Sequence, residues 1–137
     1  MKARISWHQD VSFVTESGSG HSVVVDGAPN QGGRNIGPRP MELMLMGLGS
    51  CASFDVITIL KKQRQNVSSC DCILEAERSD KVPAVFTRIT MNFQVSGSNL
   101  EIEKVERAVA LSAEKYCSAS KMLESAGVEL NHHVTLI

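Results

Sequence analysis

The chain has 137 residues, 14 Lys and Arg against 15 Asp and Glu, and a formal net charge of −1. That length supports one domain, residues 1–137, with a buried core. The near-neutral balance, with 4% aromatics, excludes the basic stacking surface that nucleic-acid binding requires. The four cysteines, at 51, 70, 72 and 117, lack the dense spacing of a secreted disulfide scaffold. Met1-Lys2-Ala3-Arg4-Ile5-Ser6 has no apolar core of leader length, so cytoplasmic residence and reduced thiols are expected.

Residues 2–7 and 11–16 alternate with period two, placing Ala3, Ile5 and Trp7, then Val11, Phe13 and Thr15, on common faces. A turn cluster, Glu16-Ser17-Gly18-Ser19-Gly20, precedes a third run from His21 to Asp26 built on Val23-Val24-Val25. These three runs predict an antiparallel meander. Residues 27–39 are rich in Gly, Pro, Asn and Arg and form a loop, long enough to favour a functional or subunit-contacting role. Pro40 suits the first turn of a helix that runs to about Gln63 and closes on Lys61 and Lys62. Residues 68–78 predict a strand with Cys70, Cys72, Leu74 and Ala76 on one face. Phe86 to Val95 predicts its neighbour, ended by Ser96-Gly97-Ser98-Asn99. Asn99 caps a predicted helix from Leu100 to Tyr116, on which Ile102, Val105, Val109 and Ala113 recur at helical spacing. A short helix over Ser118–Ser125, a stop at Gly127 and a last strand from Val128 complete the order β-β-β-α-β-β-α-α-β, an α+β arrangement.

The helix from Pro40 is apolar on nearly every side. Twenty residues from Met41 to Leu60 are nominally long enough to span a bilayer. Glu42 and Asp55 lie within them, however, and a carboxylate in a spanning helix costs about 3 kcal/mol. A central helix covered by its own domain and a partner subunit is the expected arrangement, so a homodimer is expected and a membrane span is not.

Among the thiols, Cys70 and Cys72 share a strand face and read as small apolar fillers. No further ligands lie near them for a metal, and no metal or other cofactor is expected. His132 and His133, adjacent in the last strand, point to opposite faces and read as structural. Cys51 is different: Gly47, Gly49 and Ser50 thin the helix around it and allow access. Cys117 stands at a helix N-terminus, where unpaired N–H groups and the dipole favour a thiolate, and Lys121 comes one turn later. Two such thiols brought together by the fold would form and break a disulfide.

Gly37-Pro38-Arg39-Pro40-Met41-Glu42-Leu43, Gly49-Ser50-Cys51 with Asp55-Val56, and Tyr116-Cys117-Ser118-Ala119-Ser120-Lys121-Met122-Leu123 together resemble the OsmC/Ohr family of osmotically inducible and organic-hydroperoxide-resistance proteins. The resemblance covers nearly the whole chain. It implies an intertwined α+β homodimer, with antiparallel sheets around two long central helices. It also implies a cysteine peroxidase in which Cys51 attacks an organic hydroperoxide and becomes a sulfenic acid. Cys117 then resolves it as a Cys51–Cys117 disulfide, which an external dithiol reduces. The family's peroxidases organise the attacking thiol with a carboxylate and an arginine. Their glutamate directly follows the proline, where this chain has Met41; Glu42 is one position later, about half a revolution from Cys51 on a straight helix. Arg39 and Arg34 are the candidates for the arginine. Asp55, four residues after Cys51, lies on the same helix face, where an anion opposes thiolate formation unless a cation offsets it. The alternative reading is a non-catalytic or weakly catalytic stress protein that holds a small hydrophobic ligand against Met41, Met44 and Met46.

Overall fold

The N-terminal alternation folds as a three-stranded antiparallel meander, in a computed structural model that describes residues 1–137. Its strands are β1 (Ala3–Gln9), β2 (Ser12–Ser17) and β3 (Ser22–Val25), in the order β1-β2-β3. Trp7 pairs with Phe13 and Ile5 with Thr15 across β1 and β2. The loop after β3 is pinned from inside. Asp26 is buried, and its carboxylate accepts backbone N–H bonds from Gly27 (2.8 Å), Arg34 (2.8 Å) and Ile36 (3.2 Å). Burial opposes its ionisation, but these bonds and the Arg34 charge together hold its pKa below the ordinary carboxylate value. Gly37 passes so close to β3 that an added Cβ would stand 2.2 Å from the Val24 carbonyl oxygen.

Helix α1 (Pro40–Lys62) starts on proline, as expected, and ends on Lys61 and Lys62. Glu42 reaches back from the first turn and accepts the Arg39 backbone N–H at 2.8 Å, one half of a capping box. Leu48, Gly49, Ala52, Val56 and Leu60 form the buried stripe of α1. Elsewhere the helix is open within one chain: Met46 is 55% and Phe54 73% exposed. It is the one helix long and apolar enough to cross a membrane by length and composition. One stripe, rather than the whole circumference, is therefore covered by the chain itself.

The chain divides into two compact units, Met1–Met44 and Leu45–Ile137. In the second, β4 (Asn66–Arg78), β5 (Phe86–Ser98) and β6 (Glu129–Leu136) form a sheet of order β4-β5-β6. β4 and β5 are antiparallel, whereas β5 and β6 are parallel. A parallel pair needs a crossover. It is supplied by α2 (Ile102–Leu111), a π-helical turn (Ser112–Tyr116) and α3 (Ser118–Ser125). Central β5 carries the core, with Ile89, Met91, Phe93 and Val95 fully buried. Phe86 is buried too, although it lies out of phase with them. A register shift between Glu77 and Arg78 pairs Arg78 with Phe86 and turns that side chain inward.

Three boundaries differ from the expectation. Ser96-Gly97-Ser98 does not end the strand: β5 continues through it, paired with Ser69, Val67 and Asn66. The serines bond across the ladder, Ser69 to Ser96 at 2.6 Å, and only glycine fits at 97, where a Cβ would lie 2.0 Å from the Asn66 carbonyl oxygen. Asn99 takes a left-handed φ of 55° instead of capping a helix. Glu101 is the N-cap of α2, and its N–H donates to the Gln65 side chain at 2.9 Å. The single helix expected to Tyr116 becomes α2 and the π-turn, in which the Cys117 N–H reaches the Ser112 carbonyl at 2.8 Å.

Candidate functional site

Cys51 and Asp55 are one turn apart on α1, which is helical without interruption at Gly47 or Gly49. Cys117 is the N-cap of α3. The π-turn delivers it there: Ser112 opens that turn, and its hydroxyl donates to the Ala52 carbonyl of α1 at 3.2 Å. Turns of this kind concentrate at functional sites because the extra residue re-aims the side chains after it. One atom each from Cys51, Asp55 and Cys117 then lie within 4.8 Å of one another. The two sulfurs therefore lie within 4.8 Å of each other, and both thiols are free. Cys117 is fully buried; Cys51 is partly exposed.

The N-terminus of α3 does act on Cys117, since the Ser120 N–H donates to its sulfur at 3.4 Å. It does not decide the protonation state. Burial pushes the Cys117 thiol up, the Ser120 hydroxyl and N–H pull it down, and the neighbouring Cys51 adds a further push upward. The thiolate-favouring N-terminus expected from sequence is thus outweighed by desolvation. Lys121 contributes little, because its ammonium pairs with Glu124 at 3.0 Å on the surface.

Gly49 has a different job from the one expected. A Cβ there would stand 2.6 Å from Leu74 Cδ1, so the glycine lets β4 pack against α1. Gly47 faces open space. Ser50 donates to the Met46 carbonyl of its own helix at 2.7 Å. Cys70 and Cys72 face inward from β4, half-buried. Burial raises both thiols, Cys72 to about 11 despite a hydrogen bond with Ser53, and Asp71 adds to the rise at Cys70. His132 is half-buried with Nε2 unpartnered and its pKa lowered by burial, while His133 is exposed.

The remaining candidates are engaged within the N-terminal unit. Glu42 caps α1. The Arg39 guanidinium donates to the Asn35 side chain at 2.7 Å and the Gly37 carbonyl at 3.1 Å. Arg34 pairs with Asp10 at 3.6 Å.

Sequence reasoning missed the surroundings of the thiols. Asp55 Oδ2 is buried and meets no hydrogen-bond donor. A cavity of about 280 Å³, lined by Asp55, Thr58, Ile59, Lys62, Leu111 and Tyr116, opens beside it. The i, i+3, i+4 and i+7 spacing of Asp55, Thr58, Ile59 and Lys62 along α1 was the available signal. Leu111 and Tyr116 come from the crossover and have none.

The OsmC-like protein family matches residues 31–133. Protein YhfA of Escherichia coli K12 is 44% identical over 137 residues, covering 100% of this chain and 98% of that protein. A hypothetical protein from Aquifex aeolicus VF5 superposes with a TM-score of 0.86 at 29% identity, covering 99% of this chain and 95% of its own. The organic hydroperoxide resistance protein OhrB of Bacillus subtilis shares the fold at 18% identity, with a TM-score of 0.63 and 98% of each chain covered.

Proposed function

Because the chain belongs to the OsmC-like protein family and two of its thiol sulfurs lie within 4.8 Å of each other, we propose that it is a thiol-dependent peroxidase acting on organic hydroperoxides. The observation that carries this reading is the proximity, within 4.8 Å, of the sulfurs of a partly exposed Cys51 and a fully buried Cys117. Accessibility supports these roles. The partly exposed Cys51 meets the peroxide, and the buried Cys117, shielded from direct attack, resolves.

The Cys51 thiolate attacks the distal peroxide oxygen. The O–O bond breaks, the sulfur becomes a sulfenic acid, and the alkoxide leaves as an alcohol after taking one proton. Asp55, with a carboxylate oxygen within 4.8 Å of the Cys51 sulfur, accepts its proton and returns it to the leaving alkoxide in this reading. The Cys117 sulfur then displaces water from the sulfenic acid, forming the Cys51–Cys117 disulfide. An external dithiol exchanges with that disulfide and restores both thiols. The cavity beside Asp55 offers Ile59, Leu111 and Tyr116 to the organic group of the substrate.

A homodimer belongs to the same proposal. Met46 and Phe54 leave a large apolar area of α1 open in one chain, and a second copy of the helix covers it. The test is consumption of cumene hydroperoxide with a dithiol donor. Wild type turns over and Cys51→Ser does not; undiminished turnover in Cys51→Ser would sink the reading.

A further inference from the structure

Peroxide chemistry needs two sulfurs, but the cluster holds a third donor. Cys51, Asp55 and Cys117 each present one ligand atom, all within 4.8 Å of one another. In a tetrahedral zinc site, with Zn–S near 2.3 Å and Zn–O near 2.1 Å, donors stand about 3.5–3.8 Å apart. Binding would draw the donors the remaining distance together. The i, i+4 placement of Cys51 and Asp55 on α1 aims two ligands from one helix face, and Cys117 enters from the N-cap of α3. The Ser120 N–H already donates to the Cys117 sulfur, an outer-shell bond that orients a thiolate ligand. Asp55 Oδ2 supplies an independent sign. A buried carboxylate oxygen with no donor is unsatisfied, and a bound cation would satisfy it. Two sulfurs with one carboxylate select a borderline-soft ion over magnesium or calcium.

We propose that the reduced protein binds one Zn2+ per chain through Cys51, Asp55 and Cys117, with water in the fourth position. Binding releases two thiol protons, so the site forms from the dithiol only. Occupied, it lowers the nucleophilicity of the Cys51 sulfur and slows its attack on substrate without preventing it. This regulatory consequence rests on the peroxidase reading. When an organic hydroperoxide oxidises the pair, two thiolates, the hydroperoxide and two protons yield the disulfide, an alcohol, water and free Zn2+. The disulfide retains no thiolate to hold the metal. The cluster is thereby a redox-gated zinc site.

The experiment titrates reduced, chelator-stripped full-length protein with Zn2+ against a chromophoric chelator, and with Co2+ as a spectroscopic probe. One equivalent binds, with a thiolate-to-cobalt charge-transfer band. Cys51→Ser and Cys117→Ser lose the band, Asp55→Asn binds at least tenfold more weakly, and the Cys70→Ser/Cys72→Ser double variant binds like wild type. The disulfide form binds nothing. A readout without variants accompanies these: Zn2+ protects Cys51 and Cys117 from alkylation, but not Cys70 or Cys72. Absence of stoichiometric binding, or protection confined to Cys70 and Cys72, overturns the site. Hydroperoxide turnover of the stripped protein is measured in parallel. Turnover without metal binding removes the zinc site alone, and metal binding without turnover leaves the site standing and removes the peroxidase reading.

Discussion

One equivalent of cumene hydroperoxide per chain, added without reductant, should halve the titratable thiols. The protein holds four free cysteines. Cys51 and Cys117 hold their sulfurs within 4.8 Å of each other, so a single turnover removes that pair and leaves Cys70 and Cys72. Distance selects the pair, and burial keeps the two β4 thiols protonated. With the Cys72 thiol pushed up to about 11, its thiolate fraction at pH 7 is about one in ten thousand, against a few per cent for an ordinary cysteine. Burial raises Cys70 in the same direction. The assay is a thiol count with a chromogenic disulfide in denaturant, with peptide mapping to locate the bond. Wild type falls from four to two. Cys117→Ser, which starts with three, falls to two and retains a Cys51 sulfenic acid that a dimedone-type reagent traps. A count that stays at four, or a mapped bond that uses Cys70 or Cys72, refutes the reasoning.

Gly49→Ala places a methyl group 2.6 Å from Leu74 Cδ1, and the overpacking costs about 1–3 kcal/mol, partly offset by about 1 kcal/mol of helix propensity. Urea denaturation should show a net loss that shrinks in a Leu74→Ala background; an equal loss in both would remove the clash as its cause. Phe54→Asp should shift the protein from dimer to monomer in sedimentation, since burying a phenylalanine contributes about 2–3 kcal/mol to an interface; an unchanged dimer would place the interface elsewhere. Because the Cys72 pKa is raised on folding, its contribution to stability is complete below about pH 9 and is lost as pH rises toward about 11. The urea midpoint should therefore fall over that window, and less steeply in Cys72→Ala. An identical slope in that variant would assign the alkaline loss to other groups.

Much of the architecture was legible because its signals are local. Period-two runs mark the meander and β4, Pro40 and the terminal lysines mark the ends of α1, and Gly127, with φ of 89°, marks the stop after α3. The phase of Cys70 and Cys72 on β4, and of His132 against His133 on β6, comes from the same alternation. Where the structure departs, a distant partner prevails over a local preference. Ser96-Gly97-Ser98 reads as a breaker, yet pairing with β4 keeps it extended. Asn99 reads as a cap, yet Gln65 receives the chain at Glu101 instead.

The residues of the thiol cluster could be named from the chain, because helix phase alone puts Asp55 beside Cys51 and a helix start puts Cys117 at a cap. Their meeting could not be, since it depends on a crossover that returns Cys117 to α1 through a π-turn tied to Ala52. Nor could the balance at Cys117, where loss of water around the sulfur outweighs the N–H groups that sequence reasoning counted. Desolvation and long-range packing are properties of the surroundings a residue meets in space. Neighbours along the chain determine only its conformation and the direction in which it faces.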